Sequence, residues 1–250
     1  MKPRPITETY GSAIRQYHLD LDKYISEAMG SNLEKLEQFP KYVPRESMTK
    51  FLARYELFKM ALAVQGSIVE GGVYWGGGLM AFAQFSAILE PVNFQRLIIG
   101  FDTFAGYPEL HRADLKSVSK RMHRGGFNAA SCEDLTRCIQ LYDQNRFLGH
   151  LNKVVLVKGD ASKTIPAYLK DNPHTIISLL YLDFNLYKPT KAAIEHFLPR
   201  MPKGGIIAFD EINDPRCPGE TLAILETIGI RSIRIERFNF EPRVSYVVLG

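Results

Sequence analysis

Residues 67–78 read SIVEGGVYWGGG and give the clearest indication of how this chain folds. They begin with a short β-type run, and a helical run follows from Leu79 until Pro91 stops it. A strand, a glycine-rich turn and a helix in this order bring backbone N–H groups and a helix N-terminus up to a ligand. We therefore predict a ligand-binding turn here, although glycines also serve turns that need only a positive φ.

The glycine spacing argues against two common nucleotide-binding motifs. Counted from Gly71 or Gly72 at the strand end, the dinucleotide pattern GxGxxG fails at its second glycine. The looser form of that pattern fits Gly76, Gly78 and Ala81, but these residues lie well past the strand. A P-loop would need Gly-Lys-Ser/Thr after its spacer, and no lysine follows.

Length and composition indicate a globular α/β protein. The 250 residues suit one large domain with extra helices or at most two small domains, and 46% hydrophobic residues allow a sizeable core. A net charge of +4 is too small to argue for nucleic acid. The three cysteines lack CxxC spacing, which favours a reducing compartment. Because we find no signal-peptide pattern and no long apolar run, we expect a cytoplasmic protein with neither nucleic-acid nor membrane partners.

Two amphipathic helices are predicted before the first strand, over residues 8–30 and 47–63. We assign them to an N-terminal helical cap, residues 1–64, and interpret them as core packing or a homodimer surface rather than as substrate contacts. From residue 65 the strands and helices alternate. The strands are predicted near 67–71, 96–101, 153–157, 176–182 and 205–209, and the helices near 79–89, 132–147, 162–170, 190–198 and 218–228.

The last segments predict a different kind of strand pairing. Strands over 231–238 and 244–249 have a short connection, so they must pair antiparallel. Apolar strands such as 175–182 fit a sheet that is covered on both faces. A doubly wound, mostly parallel α/β sheet with an antiparallel C-terminal hairpin is the Rossmann-like architecture of class I methyltransferases.

Residues 103–131 have little regular pattern and several cations, namely Arg112, Lys116, Lys120, Arg121 and Arg124. A loop of this length in a compact domain is usually a lid or a mobile segment. As a lid it would exclude water, and its charge would suit an acceptor with phosphate or carboxylate groups. Both interpretations are open at this point.

Acidic residues follow four of the predicted strands. Asp102 could accept hydrogen bonds from both hydroxyls of a ribose, and Asp160 could either receive an adenine amine or cap the next helix. Asp183 and the pair Asp210 and Glu211 follow the fourth and fifth strands. Three converging carboxylates repel one another unless one is protonated or a cation binds. Oxygen ligands favour Mg²⁺, Mn²⁺ or Ca²⁺ over zinc.

Four motifs in order resemble the macrocin O-methyltransferase family over residues 41–250. They are GSIVEGGV with GGG in residues 66–78, GFDTFAGYP in 100–108, LDFNLYKPT in 182–190 and GGIIAFDE in 204–211. The resemblance implies an enzyme that uses S-adenosylmethionine and Mg²⁺ or Mn²⁺ to methylate sugar hydroxyls of natural products. Its small-molecule acceptor would be glycosylated, and the cations of residues 103–131 would suit an anionic one.

The same resemblance implies roles for individual residues. Cofactor binding would involve Glu70, Gly71, Gly72, Tyr74, Gly77, Asp102, Asp160 and Asp183. Metal binding would involve Asp183, Asp210 and Glu211. The metal would bind the acceptor hydroxyl, align it with the methyl group and make it more acidic.

Asn185 departs from the family pattern, because many members have at this position an aspartate that resembles a general base. A neutral amide cannot take up a proton at neutral pH, and losing a base costs on the order of 10²–10⁴ in rate. The base could lie elsewhere, with His111, His123, Asp214 and Glu220 as candidates. Alternatively, the metal alone acidifies the acceptor, or the acceptor is not a sugar. A catalytically impaired scaffold protein and a nucleotide-dependent oxidoreductase are the competing hypotheses.

Overall fold

The computed structural model describes residues 12–250, and two compact units divide the chain between residues 48 and 49. The described part of the first unit contains α1 (Ser12–Glu27), α2 (Asn32–Glu37) and the beginning of α3 (Arg45–Ala61). Residues 8–11 of the predicted first helix lie outside the described residues. The division falls inside the predicted cap, so the assignment of residues 1–64 to a separate cap stays a prediction.

The short helix α2 lies between the two predicted N-terminal helices, where the sequence predicts no regular element. Its N-terminus is a capping box, in which Ser31 Oγ accepts from Glu34 N at 3.3 Å and Glu34 Oε2 accepts from Ser31 N at 2.6 Å. The two bonds satisfy backbone donors that a helix start otherwise leaves free. This local pairing accounts for a helix of only six residues.

The second unit alternates strands and helices, as predicted. Its first elements are β1 (Ser67–Gly71), α4 (Gly77–Leu89), β2 (Ile98–Asp102), α5 (Cys132–Gln144), β3 (Val154–Lys158) and α6 (Ala161–Asp171). Its later elements are β4 (Ile177–Leu182), α7 (Tyr187–Phe197), β5 (Ile206–Phe209), α8 (Pro218–Thr227), β6 (Glu236–Arg237) and β7 (Ser245–Val248). In residues 103–131 the regular structure is one short 3₁₀ turn, Asp114–Lys116.

These strands form one sheet in the order β3-β2-β1-β4-β5-β7-β6. The first five strands are parallel, β7 pairs antiparallel with β5, and β6 pairs antiparallel with β7. The class I methyltransferase fold is therefore confirmed, with the strand order reversing between β1 and β4. Ligands bind at such a switch point in open α/β sheets.

Side chains cover the sheet on both faces, as the apolar strands predicted. One face packs Ile68 and Tyr181 against helix residues such as Phe82, and the other packs Val69 and Leu180 against helices α6, α7 and α8. Every residue of β4 is buried. None of the helices described in residues 12–250 has the length and apolar character needed to cross a membrane.

The C-terminal strands pair antiparallel as predicted, but they are shorter than expected. The prediction of 231–238 shrinks to Glu236–Arg237, and that of 244–249 becomes Ser245–Val248. β7 lies between β5 and β6, so within residues 12–250 β6 is an edge strand that pairs with β7 alone. A short edge is common because it leaves few unpaired backbone groups exposed.

Candidate active site

The predicted site residues gather at one edge because four strands end in register. Gly71 lies opposite Phe101 on one side and Leu182 on the other, and Leu182 lies opposite Phe209. The residues that follow these positions are therefore level with one another. They are Gly72, Asp102, Asp183 and Asp210.

The glycine turn after β1 requires glycine at its closest approach to the neighbouring strand end. Gly72 has φ +89°, and a Cβ at this position would lie 2.0 Å from the carbonyl oxygen of Asp183. Gly77, the first residue of α4, is exposed and a Cβ there would have no atom within 4 Å. The first turn of α4 thus has open space beside it, which is what binding of a polar ligand by its N–H groups requires.

Asp102 links the glycine turn by hydrogen bonds to the start of the loop over residues 103–131, which we call the insertion. Its Oδ2 accepts from the N–H of Tyr74 at 2.8 Å, and its Oδ1 accepts from that of Phe104 at 2.7 Å. Tyr74 and Phe104 both have positive φ, 54° and 52°, so these bonds hold two uncommon backbone conformations. Each carboxylate oxygen retains a further lone pair, which leaves the predicted ribose contact chemically available.

Glu70 and Arg54 form a buried pair beneath the first turn of α4. Arg54 Nη2 lies 3.7 Å from Glu70 Oε1, and its guanidinium stacks over the ring of Tyr181 at 4.8 Å. Within the described chain, Glu70 Oε2 and Arg54 Nε are buried without a hydrogen-bond partner. Burial raises the pKa of Glu70 to about 8, although Arg54 opposes this shift. Buried orphan atoms are uncommon, and these two could serve a polar group of a ligand.

Asp210 has hydrogen bonds to both of its carboxylate oxygens. Its Oδ2 accepts from Lys50 Nζ at 2.6 Å, and its Oδ1 accepts from the hydroxyl of Tyr181 at 2.8 Å. Burial acts to raise the pKa of Asp210, but Lys50 and then Arg54 lower it to about 2. Asp210 is therefore ionised and already paired with a cation from α3.

Asp183 and Glu211, unlike Asp210, have raised pKa values. Burial and the charge of Asp210 raise the pKa of Asp183 to about 7 and that of Glu211 to about 9. Arg54 Nη2 lies 3.9 Å from Asp183, and Arg216 Nη2 lies 3.4 Å from Glu211. The cluster thus carries more carboxylates than its cations neutralise, and either protons or a further cation would relieve the repulsion.

The donor set at these strand ends fits a hard divalent cation in kind, because it consists of carboxylate oxygens. Across residues 12–250, no three Asp, Glu, His or Cys side chains form a ready arrangement for a metal ion. Asp210 faces Lys50 and Tyr181, and Glu211 faces Arg216. Metal binding by Asp183, Asp210 and Glu211 stays a prediction, and it requires these side chains to change partners.

Asn185 lies in a strained and nearly buried position between two loops. It has φ +62°, its Oδ1 accepts from Cys217 Sγ at 3.2 Å, and its N–H donates to Glu220 Oε1 at 3.1 Å. Glu220 is fully buried, and its Oε2 accepts from the N–H of Glu211 at 3.2 Å. Glu220 therefore joins the loop after β4 to the loop after β5, and its role as the base stays a prediction.

The other candidate bases differ in how available they are. Asp214 accepts from Arg216 Nε at 2.8 Å, and this bond holds its pKa far below the usual range, so Asp214 is a weak base. His123 is exposed, and its Nδ1 lies 3.0 Å from the carbonyl oxygen of Arg124. His111 is half-buried and stacks on Tyr187 with ring centroids 4.4 Å apart.

The insertion is attached to the site by the buried Asp114. Its Oδ2 accepts from the N–H of His111 at 2.8 Å, and its Oδ1 accepts from the N–H of Tyr187, the first residue of α7, at 2.9 Å. Val118 N also donates to Pro215 O at 3.2 Å, in the loop before α8. Residues 103–131 therefore contact both loops that carry acidic residues, while their action as a lid stays a prediction.

Asp160 has the alternative role that the sequence left open. It is the N-cap of α6, where its Oδ1 accepts from the N–H of Ser162 at 3.1 Å and from its hydroxyl at 2.7 Å. Serving as a helix cap leaves the second oxygen for other partners. Its contact with an adenine stays a prediction.

Sequence reasoning missed Lys50 and Arg54, which α3 directs at the acidic strand ends. The helix was interpreted as packing or a dimer surface, and this was incomplete because it also supplies the cations of the site. A signal was present: residues 50 and 54 continue the spacing of the buried residues Leu57 and Ala61 along one helix face. Charges inside an apolar stripe mark side chains that point inward.

Comparison with known proteins identifies relatives of this chain. The model of the macrocin-O-methyltransferase (TylF) family matches residues 45–222. The crystal structure of the calicheamicin methyltransferase CalS11 superimposes with a TM-score of 0.92 and 32% identity, covering 98% of this chain and 95% of that one. An apo structure of CalS11, described as a TDP-rhamnose 3'-O-methyltransferase of calicheamicin biosynthesis, gives a TM-score of 0.84 with 98% and 97% coverage at 32% identity.

Two further matches are more distant. A Streptomyces olivaceus protein, the 8-demethyl-8-(2,3-dimethoxy-α-L-rhamnosyl)-tetracenomycin-C 4'-O-methyltransferase, is 26% identical over 162 residues. This match covers 63% of the chain and 57% of that relative's length. The O-methyltransferase NovP shares the fold at 20% identity with a TM-score of 0.65, covering 81% of this chain and 80% of that one.

Proposed function

The chain belongs to the macrocin O-methyltransferase family, and from that premise we propose that it transfers a methyl group from S-adenosylmethionine to a sugar hydroxyl. One observation carries the proposal: the glycine turn and Asp102 end level with Asp183 and Asp210 at the switch point of the sheet. A cofactor pocket and an acidic cluster that share one edge suit a transfer between two bound molecules.

The cofactor would bind on the β1 and β2 side of this edge. Asp102 would hold the ribose, Asp160 would lie near the adenine, and Glu70 with the glycine turn would flank the methionine part. The open space beside Gly77 and the orphan Oε2 of Glu70 support this assignment. When bound, the cofactor supplies a methyl carbon made electrophilic by its sulfonium.

A divalent cation, Mg²⁺ or Mn²⁺, would be held by Asp183, Asp210 and Glu211. The raised pKa values of Asp183 and Glu211 support this, because burial first and the charge of Asp210 second disfavour ionised carboxylates that a bound cation would stabilise. The cation would bind the acceptor hydroxyl and make it more acidic.

The protein's own residues would then align the two reactants. In the transfer, the acceptor oxygen would bond to the methyl carbon as its bond to sulfur breaks, the sulfur would keep the electron pair, and the hydroxyl proton would pass to a base. Glu220 holds the loops that carry Asn185 and Glu211 in fixed relation, so it would keep the acceptor side of the site in one arrangement. Asn185 has no proton-accepting group for this step.

The acceptor would be a rhamnose-type sugar carried on an anionic group such as a nucleoside diphosphate. Two relatives support this. The Streptomyces olivaceus protein has a rhamnosyl compound in its name, and CalS11 is described as a TDP-rhamnose 3'-O-methyltransferase. The 103–131 segment, which contacts the acidic loops through Asp114 and Val118, carries exposed cations, namely Arg112, Lys116, Lys120 and Arg124. Clustered cations suit phosphate oxygens.

The test is an acceptor panel with purified protein, S-adenosylmethionine and Mg²⁺. The panel contains TDP-rhamnose, free rhamnose and a rhamnosylated polyketide, and the product mass reports methylation. We expect transfer to TDP-rhamnose that chelator abolishes and Mg²⁺ restores. Turnover that ignores chelator would refute the metal role, and cofactor binding without turnover on any acceptor would favour the scaffold hypothesis.

A further inference from the structure

Lys50 occupies the acidic cluster as a cation that belongs to the protein itself. Its Nζ lies 2.6 Å from Asp210 Oδ2, and the hydroxyl of Tyr181 donates to the other oxygen. The side chain of Asp210 is 1% exposed, whereas that of Lys50 is 23% exposed. The carboxylate of Asp210 is therefore buried at the end of β5, and the ammonium of Lys50 reaches it from α3 on the solvent side.

The second cation of the cluster is held differently. Arg54 lies between Glu70 at 3.7 Å and Asp183 at 3.9 Å, and it stacks on the ring of Tyr181. Its planar group is thus fixed by three neighbours. Lys50 has a flexible four-carbon stem, part of which is exposed, so it is the cation that can withdraw.

A divalent cation on Asp210 would meet the ammonium of Lys50 at the same oxygen atom. Two like charges around one buried oxygen repel strongly, because little water lies between them. Either the lysine leaves Oδ2 or the metal binds weakly.

We propose that Lys50 is a built-in competitor for the divalent cation: it neutralises Asp210 in the metal-free protein and releases it when the metal binds. This inference rests on the metal role in the proposed function. Lys50 thereby lowers the affinity of the site for metal while keeping Asp210 ionised and in place.

The first experiment compares Mn²⁺ binding, measured from the electron paramagnetic resonance signal of free Mn²⁺. Lys50→Gln removes the charge but keeps an N–H donor for Asp210, and Lys50→Arg keeps the charge. Lys59→Gln is the matched control, because Lys59 is on the same helix, exposed and paired with Glu56 at 2.9 Å. We expect Lys50→Gln to bind Mn²⁺ at least about tenfold more tightly, a change of 1.4 kcal/mol or more, and the other two variants to bind like the wild type.

A second measurement uses the wild-type protein and does not depend on the folding of a variant. Brief acetylation followed by peptide mass spectrometry reports the reactivity of each lysine with and without Mg²⁺. We expect Mg²⁺ to increase labelling of Lys50 severalfold and to leave Lys59 unchanged.

The outcomes separate this inference from the proposed function. Two results would overturn the role of Lys50 and leave the metal site standing. In the first, the wild type binds Mn²⁺ and Lys50→Gln binds it no more tightly. In the second, Mg²⁺ leaves the labelling of Lys50 unchanged or lowers it. Absence of Mn²⁺ binding in the wild type and in Lys50→Gln overturns both.

Discussion

The two sides of the proposed site are built by different means. On the β1 and β2 side, Gly72 and Asp102 work through the backbone: Asp102 accepts two N–H groups, and Gly72 leaves room for a neighbouring carbonyl. On the β4 and β5 side, Asp183 and Asp210 depend on charged side chains from α3. The first side is preorganised before any ligand binds, whereas the state of the second changes with protons and cations.

The largest effect is expected on the charged side. Asp210→Asn removes the anchor of the proposed cation, and metal activation is worth several kcal/mol, so methyl transfer should fall on the order of 10³-fold. The affinity for S-adenosylhomocysteine, measured by calorimetry, should stay within a few-fold because Asp102 is untouched. Activity within tenfold of the wild type would show that Asp210 has no part in the transfer.

A smaller loss is expected on the backbone-built side, and it concerns binding. Asp102→Asn weakens charged hydrogen bonds worth about 1.5–3 kcal/mol each, so S-adenosylhomocysteine should bind about 10–100-fold less tightly. Asp134→Asn, an exposed acidic residue in the first turn of α5, is the control and should leave affinity unchanged. Equal affinities in all three proteins would remove Asp102 from the cofactor site.

The two sides should also respond differently to pH. Asp183 has a pKa raised to about 7 by burial and Asp210, so it holds a proton below pH 7 and must lose it to bind a metal. Glu211, with a pKa raised to about 9, must also lose its proton, so Mn²⁺ affinity should rise with pH, by about tenfold to a hundredfold between pH 6 and 7. Cofactor affinity should change little over this range. A Mn²⁺ affinity that is flat or falls with rising pH would contradict the raised pKa.

The smallest effect is expected at Asn185. A carboxylate there would be 9% exposed and near Asp183, so it would be largely protonated and a poor base. Asn185→Asp should therefore change the rate of methyl transfer by less than about tenfold, against the 10²–10⁴ typical of a general base. A gain of a hundredfold would show that this chain lacks a base that the position can provide.

Sequence motifs predicted the fold and the glycine turn because they encode backbone geometry, while cofactor binding at that turn stays a prediction. The glycines predict the turn after β1. The apolar runs that end in acidic residues predict the strands, the fold and the edge at which the strand ends lie level. Lys50 was missed because α3 has no motif, and only its place on the buried face of the helix indicates its role. The burial of Glu220 and the pairing of Asp214 with Arg216 cannot be read from residue types, so the sequence could not rank the candidate bases.

The most direct test of the account is a crystal structure with S-adenosylhomocysteine and Mn²⁺, in which anomalous scattering locates the metal. We expect one manganese peak at Asp183, Asp210 and Glu211, the ribose on Asp102, and Lys50 withdrawn from Asp210. The contradicting result is a structure in which the nucleoside is bound at the glycine turn, Mn²⁺ at saturating concentration is bound elsewhere, and Lys50 is still paired with Asp210.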